Sequence, residues 1–116
     1  MQIRIKWGET TLLQSDGGFK IFKDAKVRST WNGEGAREWE WTKDDTHHNP
    51  GITRKAVEEL LEQGIETIIL TEGFHGVLQI PNDLLEWISG KGIKPVCVRT
   101  MVGVETFNYL VTQGRN

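Results

Sequence analysis

Several features are scarce or missing in this chain, and each absence closes off a class of function. A single cysteine, Cys97, leaves no disulfide framework. That fits a reducing compartment and makes the cytoplasm the expected location. No apolar run approaches the length that spans a bilayer, and residues 1–20 lack the apolar core of a signal peptide. No membrane association is therefore expected. Acidic side chains outnumber basic ones, 16 to 14, for a formal net charge of −2. With no basic excess to neutralise phosphates, nucleic acid is not an expected partner. Neither G-x-x-x-x-G-K-[ST] nor G-x-G-x-x-G occurs. Ser29, Thr46, Thr71 and Ser89 lack the base and orienting group of a hydrolase triad. No cofactor is expected, no catalytic residue is assigned, and the reading leans away from an enzyme.

What is present is patterned for one α/β domain spanning residues 1–116, a length that can bury a real core. Residues 2–7 alternate polar and apolar, as in a half-buried strand with Ile3, Ile5 and Trp7 on one face. Thr10–Leu13 reads as a weaker strand, and Asp16-Gly17-Gly18 as a hairpin turn. Phe19–Phe22 and Ala25–Arg28 are short extended pieces. Asn32-Gly33-Glu34-Gly35 is a further turn. Residues 37–42 alternate again, with Trp39 and Trp41 on one face. The first 42 residues thus read as an antiparallel meander. Four of the five tryptophans, Trp7, Trp31, Trp39 and Trp41, fall there, and core filling is favoured over an exposed aromatic interface.

Residues 43–51 are polar and rich in breakers, as in a loop. Thr53 caps a helix over 54–63 whose apolar stripe is Ala56, Val57, Leu60 and Leu61, with Gly64 as its left-handed terminator. Ile68, Ile69 and Leu70 then form an unbroken apolar run, the mark of a strand covered on both faces. A turn at 71–76 follows, then a short strand over Val77–Ile80. A second helix starts at Pro81-Asn82-Asp83, with Asn82 or Asp83 as cap and Leu84, Leu85, Trp87 and Ile88 on its buried side. Gly90-Lys91-Gly92 ends it. Ile93–Arg99 is a core strand, although Pro95 argues against a fully paired central position at its start. Cys97, set among valines, reads as an inert core thiol. Thr100 caps a last helix over 101–112, lined by Val104, Phe107, Leu110 and Val111, and Gly114 terminates it. The order β-turn-β-α-β-α implies a right-handed crossover between two parallel strands.

The order and spacing of several of these pieces resemble the Mth938-domain family. Trp39-Glu40-Trp41, Thr46-His47-His48-Asn49-Pro50-Gly51, the strand and glycine turn at 68–76, Pro81, Lys91-Gly92-Ile93, and Phe107-Asn108-Tyr109-Leu110 through Gln113-Gly114-Arg115 carry the likeness. It covers about residues 20–116. Lys23-Asp24-Ala25-Lys26-Val27 makes it closest to the animal adipogenesis-associated branch. The resemblance implies a mixed, barrel-like sheet with helices packed on one side. The family has no assigned biochemical activity; one branch is linked to adipocyte differentiation, and a mitochondrial relative to respiratory complex I assembly. Members usually continue past the Gly-Arg pair into an apolar strand, whereas this sequence stops at Asn116. An unpaired sheet edge is then expected, and with it either a homodimer through that edge or a compensating contact there.

The candidate site is the polar, glycine-bracketed turn Thr71-Glu72-Gly73-Phe74-His75-Gly76, because ligands of open α/β sheets gather at the carboxyl ends of strands. Together with the loop 43–51 it offers Thr46, His47, His48, Glu72, Gly73, Phe74 and His75 as a patch for a protein partner or small ligand. His47 and His48 are adjacent, so in an extended loop they diverge and cannot easily hold one metal ion. A metal site is not assigned; the expectation is that one of the pair fixes the loop by a hydrogen bond. Gly73 and Gly76 read as turn glycines rather than a phosphate cradle. A weak anion site at the start of the last helix remains open. The leading functional reading is a non-catalytic binding or assembly module. The alternative is a small-molecule enzyme using His47 or His48 with Glu72 or His75 in a cleft between the two loops.

Overall fold

The computed structural model describes residues 2–6, 9–14, 17–28, 36–61, 65–73 and 75–114. The readings placed on Trp7, Asp16, Trp31, residues 32–35, Gly64 and Phe74 lie outside them. The chain forms two compact units, Met1–Trp39 with Val104–Asn116, and Glu40–Gly103. The structure is mixed α/β, with antiparallel and parallel pairing in separate sheets.

In the first unit, β1 (Gln2–Lys6), β2 (Glu9–Leu13) and β3 (Phe19–Phe22) form an antiparallel sheet in the order β1-β2-β3. β4 (Ala25–Val27) and β5 (Ala36–Glu38) form an antiparallel pair of their own. The antiparallel meander is therefore present, but divided between two sheets. The alternation at 37–42 does not carry a strand to its end: β5 stops at Glu38 and Trp41 lies in a turn. The described strands make one three-stranded and two two-stranded sheets, with no closed barrel among the described residues.

The β2–β3 hairpin closes where Gln14 N–H donates to Gly18 O at 2.8 Å and Gly17 N–H to Gln14 O at 3.1 Å. Gly17 sits at φ 89°, as the sequence led one to expect of a hairpin glycine. That bond sets the alternation of the ladder. Gly18, Lys20 and Phe22 point their backbone groups at β2, and Phe19 and Ile21 point theirs away. Carried across β2, the same alternation turns Gln2, Arg4 and Lys6 toward β2 and leaves Ile3 and Ile5 facing outward.

The outer edge of β1 is capped at Ile3 by a side chain. Asn108, on α3 (Thr100–Thr112), accepts from Ile3 N–H at 2.7 Å and donates through Nδ2 to Ile3 O at 2.9 Å. Its carboxamide thus supplies the donor and acceptor that a further strand would bring. The same helix lays Val104 and Phe107 against the buried cluster of Ile3, Leu12 and Ala36, which Phe22 and Val27 also join. These are two of the four positions of its expected apolar stripe.

In the second unit, β6 (Thr67–Thr71) and β7 (Lys94–Val98) pair in parallel, with α2 (Asn82–Gly90) in the connection between them. Ile68 and Leu70 are buried. On the opposite face, Ile69, Thr71 and Val98 pack on the backbone of Gly103, where an added Cβ would lie 2.6 Å from Thr71 Cγ2. The apolar run is covered on both faces, as its lack of alternation implied. Lys94 N–H bonds Glu66 O at 2.9 Å, and Val98 O accepts from Glu72 N–H at 2.9 Å. Residues 94, 96 and 98 therefore face β6, while 95 and 97 face away. Pro95 stands on the outward side of β7, where its missing N–H removes an exposed donor.

The helices match the sequence in place more than in length. Thr53 caps α1 (Arg54–Glu58), its Oγ1 accepting from Ala56 N–H at 3.2 Å and donating to Asp44 O at 2.5 Å. Beyond Glu58 the path tightens to i→i+3 bonds, Leu60 N–H to Val57 O and Leu61 N–H to Glu58 O, as helix ends often do. α2 begins at Asn82, one residue earlier than a cap at Asn82 implies and two earlier than a cap at Asp83. Pro81, at φ −64° and ψ 141°, is its N-cap, and Asp83 instead accepts from Leu84 N–H at 3.0 Å. Proline is suited to that entry because its amide carries no hydrogen to satisfy. Leu84 and Ile88 are the buried pair of α2. Trp87 is half-buried, with the Arg54 guanidinium 5.0 Å and the Lys91 ammonium 4.9 Å from its ring centre. Thr100 is the first helical residue of α3 rather than its cap. No strand forms over 77–80.

Two predictions arise here. Asn108→Ala leaves the amide and carbonyl of Ile3 without that partner, and should lower unfolding stability by about 1–3 kcal/mol. Urea denaturation with an unchanged m-value checks it. Asp24 has its carboxyl raised above the ordinary aspartate value by partial burial first, opposed by Lys23 and reinforced by Glu38. The folded state therefore holds that proton more tightly than the unfolded one. Its contribution to stability is complete below the ordinary aspartate pKa and is lost as pH rises through the raised value. Asp24→Asn should be more stable than the parent near pH ~7, with the difference closing toward pH ~3 in paired denaturation curves.

Candidate functional site

The segment 40–46 is wound tightly before the loop opens. Lys43, Asp44 and Asp45 donate to the carbonyls of Glu40, Trp41 and Thr42, and Thr46 N–H reaches back to Trp41 O at 2.9 Å. With Asp45 at φ 54°, this is the paired 6→1 and 5→2 bonding that stops a helical turn at a left-handed residue. Aspartate tolerates that conformation better than most residues. Thr46 is consequently 2% exposed, and its Oγ1 has no hydrogen-bond partner among the described residues.

From Thr46 the chain runs out to His47 and His48, both exposed. The His48 ring meets Trp41 edge-on, centroids 5.1 Å apart and planes at 67°. What fixes the loop is the backbone of His48, whose carbonyl accepts from Gln79 N–H at 3.0 Å. Gln79 then accepts through its own carbonyl from Ile52 N–H at 3.0 Å. The loop is held at His48 by its main-chain carbonyl rather than by a histidine ring, and both histidines are exposed. Gly51, between these two bonds, has φ 116° and so little room that a Cβ would lie 2.1 Å from Gln79 O.

The turn at 71–76 is tied in the same way. Glu72 is half-buried; its N–H continues the ladder to Val98 O, and its carbonyl accepts from Leu78 N–H at 3.0 Å. Gly73 (φ 84°) accepts from Thr100 N–H at 3.2 Å. Gly76 (φ 70°) lies under Arg99, whose Nε would be 3.0 Å from an added Cβ. Both glycines serve backbone conformation, as the turn reading held. The Thr100 amide is occupied by Gly73, which weakens the case for an anion at the start of α3. His75 is exposed, and Phe74 lies outside the described residues.

The two loops flanking residues 77–80 are therefore joined by main-chain hydrogen bonds. Residues 77–80 do the joining without being a strand: Leu78 bonds back to Glu72, and Gln79 bonds across to His48 and Ile52. Of the seven residues singled out from the sequence, Thr46 and Glu72 are held inward, while His47, His48 and His75 present themselves to solvent. Gln79, Trp41 and Arg99 were not singled out, yet Gln79 links the loops, Trp41 seats His48 and Arg99 covers Gly76. No motif marks Gln79 or Arg99, and Trp41 entered only through the Trp39-Glu40-Trp41 pattern. Among the described residues, no three His, Cys, Asp or Glu side chains are grouped closely enough to hold a metal ion.

Cys97 corrects one reading. It stands on β7 beside Leu70 in register, but its thiol is exposed rather than in the core. Leu70 is buried, whereas its register partner Cys97 is exposed. Partial burial, and after it the Glu72 carboxylate, still push the thiol above its ordinary value, so it stays protonated at neutral pH.

Gly51→Ala should cost about 2–3 kcal/mol, since neither Gln79 O nor the left-handed backbone can yield cheaply. Denaturant titration measures that loss, and faster exchange of the Ile52 and Gln79 amides would locate it in the loop junction.

No described helix is long and apolar enough to cross a membrane. The family model described as protein of unknown function (DUF498/DUF598) matches residues 13–116, nearly the whole chain. The chain belongs to this family, which is the Mth938-like domain family.

Proposed function

We propose that the protein is a non-catalytic binding or assembly module. Its working surface would be the loop 43–51 together with the turn 71–76, presented to a protein partner. One observation carries this reading. Gln79 and Leu78 tie the two loops into a single main-chain hydrogen-bonded unit, and that unit holds His47, His48 and His75 outward. Exposed polar and aromatic groups on loops anchored by a rigid strand pair are well suited to recognition. The enzyme reading requires the same histidines to converge with Glu72 in a closed cleft. Their exposure favours the binding module over it. A partner that carries these proteins into larger assemblies would be consistent with the branches this sequence resembles.

The test is site-specific photocrosslinking in cells, with the reactive residue placed at His47, at His75 and, as a control, at the exposed Glu105 on α3. Discrete adducts at the first two positions and none at the third are expected. Equal labelling at all three, or adducts only at the control, would remove the patch.

A further inference from the structure

The described sheet edges of this protein are not treated alike. On β1, Asn108 occupies the outward groups of Ile3. On β7, Pro95 deletes a donor from the outward row. β3 has neither device. Phe19 and Ile21 point their N–H and C=O groups away from β2, and no partner for those groups occurs among the described residues. Their side chains, on the same face of the sheet, are 64% and 57% exposed. Lys20, between them and on the other face, is also exposed and has no carboxylate partner among the described residues.

We propose that the outer edge of β3 is a docking site for an extended, acidic segment of a partner protein, which adds to the sheet as its next strand. The chemistry of the edge specifies the occupant. Outward amides and carbonyls of Phe19 and Ile21 take main-chain bonds from any extended chain. A strand laid there sets alternate residues opposite Phe19 and Ile21 on one face, and the intervening residue opposite Lys20 on the other. The matching pattern is apolar, acidic, apolar. A second copy of this chain meets the edge less well: pairing β3 with itself about Lys20 sets two ammonium groups opposite each other, which is unfavourable. This site lies in the first unit and does not rest on the loop surface proposed above.

The probe is a short blocked peptide alternating valine with glutamate, compared with its valine–lysine counterpart. Fluorescence anisotropy reads affinity, and amide exchange by NMR reads the site. The glutamate peptide should bind the more tightly and slow exchange at Phe19 and Ile21. Ile21→Pro, which removes an outward donor, should weaken it about tenfold. Lys20→Glu keeps the backbone donors and should reverse the preference to the lysine peptide, so the proposal stays testable if the proline variant misfolds. Three results would overturn it: no protection of the two amides by either peptide, equal affinity for both peptides, or a concentration-dependent dimer that protects those amides without any peptide. The last would identify a second copy as the occupant.

Discussion

A strand at the edge of a sheet turns half of its backbone donors and acceptors outward, and they must meet a partner, water or nothing. How this chain disposes of those groups organises much of the structure. Asn108 takes those of Ile3 on β1 and thereby pins the last helix to the first strand, residues 105 positions apart in the sequence. Pro95 thins them on β7. Gln79 uses its own to hold two loops together. β3 keeps its outward backbone groups beside two exposed apolar side chains, Phe19 and Ile21.

The helix α3 shows how two demands meet in one element. Gly103 has no side chain because Thr71, Ile69 and Val98 come within van der Waals distance of its backbone. One residue later, Val104 and then Phe107 serve the cluster around Leu12. The helix belongs to both compact units, its first turn to one and the remainder to the other. Its residue choice changes at that boundary from closest approach to bulk.

The candidate surface follows from similar economy. Residues 77–80 have the composition of a strand, with Val77, Leu78 and Ile80 in a run of four. They pair with no strand. Leu78 bonds back over its own turn, and Gln79 reaches the loop on the other side. The chain gives up a regular ladder there and gains a junction that keeps His47, His48 and His75 outside. The described part of that surface presents polar and aromatic groups to solvent.

Local pattern alone was enough for much of the architecture. Alternation placed β1, the Ile-Ile-Leu run placed β6 with both faces covered, Thr53 marked its helix, and Pro95 marked an edge. These depend on neighbours within a few residues, and such neighbours are visible in a linear string. The 77–80 segment departs from its local pattern because Gln79 is engaged by a loop about thirty residues away; the cap of α2 was a local choice of Pro81 over Asn82 or Asp83, and the exposure of Cys97 is not visible in its apolar neighbours. The capping of β1 at Ile3 by Asn108 and the linkage of the two loops are decisions of tertiary structure. A hydrogen bond between residues far apart in the chain leaves no periodic trace in the sequence, so only the folded molecule discloses it.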